Sequence, residues 1–161
     1  MTAQALVIGV GNRDRGDDAI GPVVVDVVRE RFDDRYATGV VEGDLSDLSL
    51  SWHQDQDVVI VDAMVSGRPA GDVWEFDALE EKLRIDSGLL SSHGVGLAEA
   101  IELARILDRL PRSLTIIAIE ATTFGQFDEL TPEVAGAADR VVDRIEKLID
   151  EKRTHARTRA V

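Results

Sequence analysis

The chain has 161 residues, enough for one domain with a full core, and it holds no apolar run near 18 residues, so no membrane span is expected. Apolar residues make up 44% and aromatic ones only 4%, so the core is aliphatic; the lack of cysteine excludes disulfides, thiolate metal sites and cysteine nucleophiles. The net charge of −13 disfavours nucleic acid and anionic membranes and suits cationic partners or metal ions, with solubility as the plain alternative.

The apolar run 5–10 reads as a short buried strand. From Ile20 the apolar positions Ile20, Val23, Val24, Val27 and Val28 follow helix spacing, and Pro22 suits a first helical turn. Residues 32–38 form a polar turn, and 39–43 a second short strand with Glu42 at its end. Residues 44–52 read as a short helix capped by Asp44 or Ser46. The β-branched run 58–61 is a strand buried on both faces, ending at Asp62. After a Gly/Pro turn at 66–71, residues 72–77 alternate Val73, Glu75 and Asp77 with Trp74 and Phe76. That turn is too short for a parallel crossover, so this strand should run antiparallel to the one before.

Residues 78–90 are acidic, a helical turn and then loop. Ser91 or Ser92 caps a helix over 95–110, which Pro111 stops. A last core strand spans 114–119 and ends at Glu120. A long loop, 121–130, carries Phe124, Gly125 and Phe127. Thr131 and Pro132 open a final helix, Thr as cap and Pro in the first turn, running to about Lys152. Residues 153–161 are expected to be a flexible basic tail. Residues 151–161 hold four basic side chains and one acid, which leaves −16 on the remainder. A single domain over 1–152 follows, with no repeat or linker. The N-terminus lacks a charged segment followed by an apolar stretch, so a cytoplasmic location is expected.

Alternating strands and helices imply a layered α/β fold with a mostly parallel sheet, in which ligands sit beyond the carboxyl ends of the strands. Those ends are 11–18, Glu42, Asp62 and Glu120, and His93 lies on the loop side, in a Ser-Ser-His-Gly turn. Asp18, Asp62 and His93 make an oxygen and nitrogen donor set without sulfur, suited to zinc, nickel, copper or iron, with room for a further ligand. Each has a plainer reading: Asp18 as a helix cap, with Asp17 a candidate for the same task, Asp62 as a turn residue, and His93 as a loop histidine bonded to a carbonyl. Gly9 and Gly11 imitate a dinucleotide fingerprint, but the third glycine is replaced by Asp14, and three aspartates would repel a pyrophosphate. No Gly-x-Ser-x-Gly elbow and no paired helix histidines of a zinc peptidase occur.

Five motifs in order, GVGN at 9–12, GDDAIG at 16–21, VIVDA at 59–63, SHGVGL at 92–97 and LTPEV at 130–134, resemble the hydrogenase maturation endopeptidases. Those enzymes clip a C-terminal extension from the large-subunit precursor of nickel-iron hydrogenases. The resemblance covers the chain to about residue 150. It implies a three-layer α/β/α sandwich, phosphorylase/hydrolase-like, with a five-stranded mostly parallel sheet and one antiparallel strand. It also implies an aspartic-type endopeptidase, acting as a monomer, in which Asp18, Asp62 and His93 contact nickel already placed in the substrate. That metal would fix the scissile bond and either polarise its carbonyl or activate water, with Glu42 or Asp17 as general base.

Two departures stand out. The family's Asp-Gly-Gly-Thr after the second strand is Glu42-Gly43-Asp44-Leu45 here, which leaves a catalytic role for Glu42 open. Arg13-Asp14-Arg15 makes the first loop more polar than is usual in the family. A non-catalytic nickel-sensing protein and a general metal-dependent aminopeptidase are the alternatives.

Overall fold

A computed structural model describes residues 4–80 and 96–160. Its five strands are β1 (Leu6–Val10), β2 (Ala37–Val41), β3 (Asp57–Met64), β4 (Val73–Asp77) and β5 (Ser113–Glu120). They form one sheet in the order β2-β1-β3-β5-β4, parallel except for β4, which pairs antiparallel with β5. The three helices are α1 (Ile20–Phe32), α2 (Leu97–Ile106) and α3 (Pro132–Arg159).

Strand alternation divides the apolar side chains between two layers. Val7, Val59, Val61, Ala63, Ile117 and Ile119 pack with Val24, Val25 and Val28 of α1 and with Val141, Val142 and Ile145 of α3. Leu6, Ile8, Val10, Val58, Ile60, Leu114 and Ile116 pack on the other face with Leu48, Trp52 and Leu97, Ala100, Ile101 and Ala104 of α2. All eight residues of β3 are buried, as a strand covered on both faces requires. The outcome is the expected α/β/α sandwich with a five-stranded mixed sheet.

α1 lies unusually close to β1. A Cβ on Gly21 would stand 2.4 Å from the Val10 carbonyl oxygen and 2.6 Å from that of Val61. Both neighbours are backbone, so nothing flexible can yield. Gly21→Ala should therefore cost about 1–3 kcal/mol or more, read as a lower denaturant midpoint at constant m-value.

Three local expectations change, and the expected direction of β4 holds. Residues 44–52 form no helix but a single 3₁₀ turn, Leu48–Leu50, while the Asp44 carboxylate accepts the Ser46 N–H at 2.8 Å. Asp and Ser side chains here compete with helical backbone bonds. Asp62 does not end a strand; β3 continues to Met64. β4 does run antiparallel to β3, but β5 lies between them. The last helix overruns Lys152 and continues to Arg159, so 153–159 are helical. Arg157 and Arg159 in its final turn oppose the negative end of the helix dipole. Ser91 and Ser92 lie outside the described residues, and α2 starts after Gly96 without a side-chain cap.

Candidate active site

The site begins in the turn between β1 and α1. Gly11 adopts φ +139°, and a Cβ there would meet the Asp18 carbonyl oxygen at 1.9 Å, so only glycine fits. Asn12 closes the turn by accepting the Asp14 N–H at 2.8 Å. A 3₁₀ turn, Gly16–Ala19, then carries both aspartates into the protein.

Those two neighbours have opposite surroundings. The Asp17 carboxylate is fully buried and saturated with donors. It accepts the backbone N–H of Thr122 at 2.9 Å, of Thr123 at 3.1 Å and of Thr131 at 2.8 Å, and the Thr131 hydroxyl at 3.0 Å. Burial alone would raise its pKa, but the bonds from Thr122, Thr131 and Thr123 outweigh that and hold it below the ordinary value. Asp17 is thus an anchor for the loop after β5, with no free lone pair for a general base. Thr131 sits at the N-cap of α3, yet its hydroxyl serves Asp17 instead of the helix.

Asp18, 4% exposed, accepts one bond, from the Asn12 N–H at 3.0 Å. Asp62, 1% exposed, follows the Gly9–Val61 pairing of β1 and β3, so it lies level with the start of the 11–18 loop. By strand alternation it belongs to the face covered by α2. Its Oδ1 accepts the Ala63 N–H at 2.8 Å, and its Oδ2 is buried with no hydrogen-bond partner among the described residues. Burial drives its pKa well above the ordinary value, the Ala63 bond opposes that weakly, and the charge of Asp18 raises it further. The structure thus brings Asp18 and Asp62 together as a buried carboxyl pair. No Lys or Arg among the described residues bonds to either.

Glu42 stands exposed just past β2, where the Gly11 N–H bonds the Val41 carbonyl at 3.0 Å. His93 lies outside the described residues, and among those described no three His, Asp or Glu side chains gather as a metal set. Glu120, the remaining strand-end carboxylate, is structural. It accepts the N–H groups of Ser66 at 2.8 Å, Gly67 at 3.0 Å and Arg68 at 3.3 Å and so holds the turn after β3. A cleft of about 520 Å³ between β4 and the end of α3 does not compete as a site. It lies at the amino ends of β3 and β5, and its charges pair off as Asp57–Arg112, Glu75–Arg144 and Asp77–Lys152.

A buried carboxylate pair, one in the turn after β1 and one near the carboxyl end of β3, fits an enzyme, and comparison with known proteins identifies which kind. The family model for hydrogenase maturation proteases matches residues 38–148. The chain belongs to that family. Among curated proteins, the hydrogenase 2 maturation protease of Escherichia coli K12 is 25% identical over 142 residues, 87% of each chain. The maturating endopeptidase HybD of E. coli shares the fold with a TM-score of 0.74 at 22% identity, covering 93% of this chain and 94% of that one. HybD from Thermococcus kodakarensis gives a TM-score of 0.70 at 23% identity, over 91% and 99%. The protein is accordingly a maturation protease with the HybD-like five-stranded mixed sheet.

Asp17 and Glu120 were not legible as anchors in the sequence. The partners of Asp17 lie more than 100 residues away, so no local pattern signals them.

Proposed function

We propose that this protease removes the C-terminal extension of a nickel-iron hydrogenase large-subunit precursor after nickel insertion, as a cytoplasmic monomer, with Asp18, Asp62 and His93 reading the metal in the substrate. The observation that carries this is the Asp62 Oδ2. A buried carboxylate atom without a partner, beside a second buried carboxylate, is costly unless a cation or proton arrives. A divalent ion delivered by the precursor would offset both charges at once. Oxygen donors with one imidazole suit nickel without the strength of a thiolate set, consistent with inspecting a metal rather than extracting it.

In this reading the metal-bound precursor lies over Asp18 and Asp62, which orient the scissile peptide. A water oxygen adds to the carbonyl carbon, the C–N bond breaks, and the leaving amine takes up the proton. The saturated Asp17 cannot accept a proton from water, so the remaining carboxylate for that step is Glu42, exposed beside Gly11.

The test is the intact mass of a purified precursor incubated with the protease, with nickel supplied or withheld. Loss of a C-terminal fragment only with both present is expected, and Asp18→Ala and His93→Ala should each abolish it. Cleavage of nickel-free precursor at the same rate overturns the metal-reading role. A stable complex without cleavage would favour a sensing role, and hydrolysis of short unrelated peptides an aminopeptidase.

A further inference from the structure

Phe127 is the most exposed large apolar side chain among the described residues, at 77%, and it stands in the loop after β5. Its backbone adopts φ +63°, a conformation that is uncommon for residues other than glycine and, in a bulky residue, carries strain. A flexible loop would relax such strain by turning the ring inward. This loop is prevented from doing so. The Phe127 N–H bonds the Asp14 carbonyl at 2.5 Å, the Gly16 N–H bonds the Asp128 carbonyl at 3.1 Å, and the Asp17 N–H bonds the Thr123 carbonyl at 2.8 Å. The Asp17 carboxylate fixes Thr122, Thr123 and Thr131 on either side. The chain therefore holds an aromatic ring out in water on the same framework that carries Asp18.

We propose that Phe127 is a precursor-docking residue, and that the segment it receives is basic. The claim rests on the reading of this protein as a precursor-cleaving protease, and names the character of what it binds. Backbone bonds tie the loop that bears the ring to the turn that bears Asp18, so the ring is continuous with the candidate site. Charge supplies the rest. Asp128 and Glu129 follow Phe127 in sequence and Asp14 accepts its backbone N–H, all three exposed, whereas Arg13 is held by Asp26 at 2.6 Å and Arg15 is only half-exposed. An aromatic face rimmed by carboxylates fits a lysine or arginine, stem on the ring and cation among the acids.

The experiment measures kcat and KM for the full-length protease on nickel-loaded precursor across a salt series. Phe127→Gly removes the ring and also relieves the positive φ, so the fold is preserved. The expected result is a KM raised about tenfold with kcat within about twofold, and recovery in Phe127→Trp. Wild-type KM should rise with salt, and the Asp128→Asn/Glu129→Gln variant should weaken that dependence. An unchanged KM in Phe127→Gly, with wild-type cleaving normally, overturns this inference and leaves the function intact. A raised KM without salt dependence overturns the basic character of the segment. Failure of the wild-type protein to bind or cleave the precursor overturns the functional reading itself.

Discussion

Asp62→Asn should abolish precursor processing and leave the protein more stable than the wild type at neutral pH. Activity should fall by about 100-fold or more, the scale of removing a group that acts directly on the reaction. Stability should move the other way because the wild-type side chain is buried, has an Oδ2 without a partner among the described residues, and faces the charge of Asp18. Burial and Asp18 raise its folded pKa above the unfolded value. Its stabilising contribution is therefore present below about pH 4, the unfolded value, and is lost as pH rises through the folded pKa. The amide has no such titration. The advantage of the variant should be small at pH 3–4 and should grow toward neutrality, by at most about 1.4 kcal/mol per pH unit. Urea denaturation of both proteins between pH 3 and 8 checks this. A variant less stable at every pH would mean that Asp62 is a structural residue.

Asp17→Ala should have the opposite effect on stability, though the two side chains belong to the same buried region. It strips the acceptor from three backbone N–H groups and from the Thr131 hydroxyl. Each buried donor left unpaired costs about 1–3 kcal/mol, so a loss of about 3 kcal/mol or more is expected, a large part of the 5–15 kcal/mol available to a typical domain. The linkage has the reverse sign, because the folded pKa of Asp17 is depressed. Its contribution is present above the unfolded value near 4 and is lost as pH falls through the folded pKa. The difference between wild type and Asp17→Ala should thus be largest at neutral pH and shrink on acidification. Since Asp17 also ties down the loop bearing Phe127, processing should decline alongside stability.

These contrasting expectations mark how far the sequence could be read. Apolar runs located β1, β3 and β5, because buried parallel strands are continuous and β-branched, while alternation located β4. Helix spacing from Ile20 and the Pro-Glu opening at 132–133 located α1 and α3. Asp18 and Asp62 stood out as candidates because strand ends collect ligands in such folds, and the structure places both carboxylates buried in one region. What escaped depends on long-range structure. Nothing near Asp17 distinguishes an anchor from its neighbour Asp18, since the difference lies in Thr122, Thr123 and Thr131. Nothing near Thr131 shows that its hydroxyl turns to Asp17. The end of β3 was set too early because a buried aspartate looks like a strand terminus. The extended α3 was missed because its exposed basic turns lack an apolar stripe.

The placement of β5 between β3 and β4 also bears on how the protein is made. The ribosome delivers β4 before the strand it must pair with, and only after Glu120 has emerged can the sheet close. Until then β3 offers an unpaired, largely apolar edge, the kind of template on which chains associate wrongly. Closure by such distant pairing is slow compared with helix formation. The loop that steadies Asp18 comes later still, since its last tether is Thr131. A nascent chain therefore carries Asp18 and Asp62 long before it has the framework that aligns them, and the candidate site is complete only once Thr131 has been made.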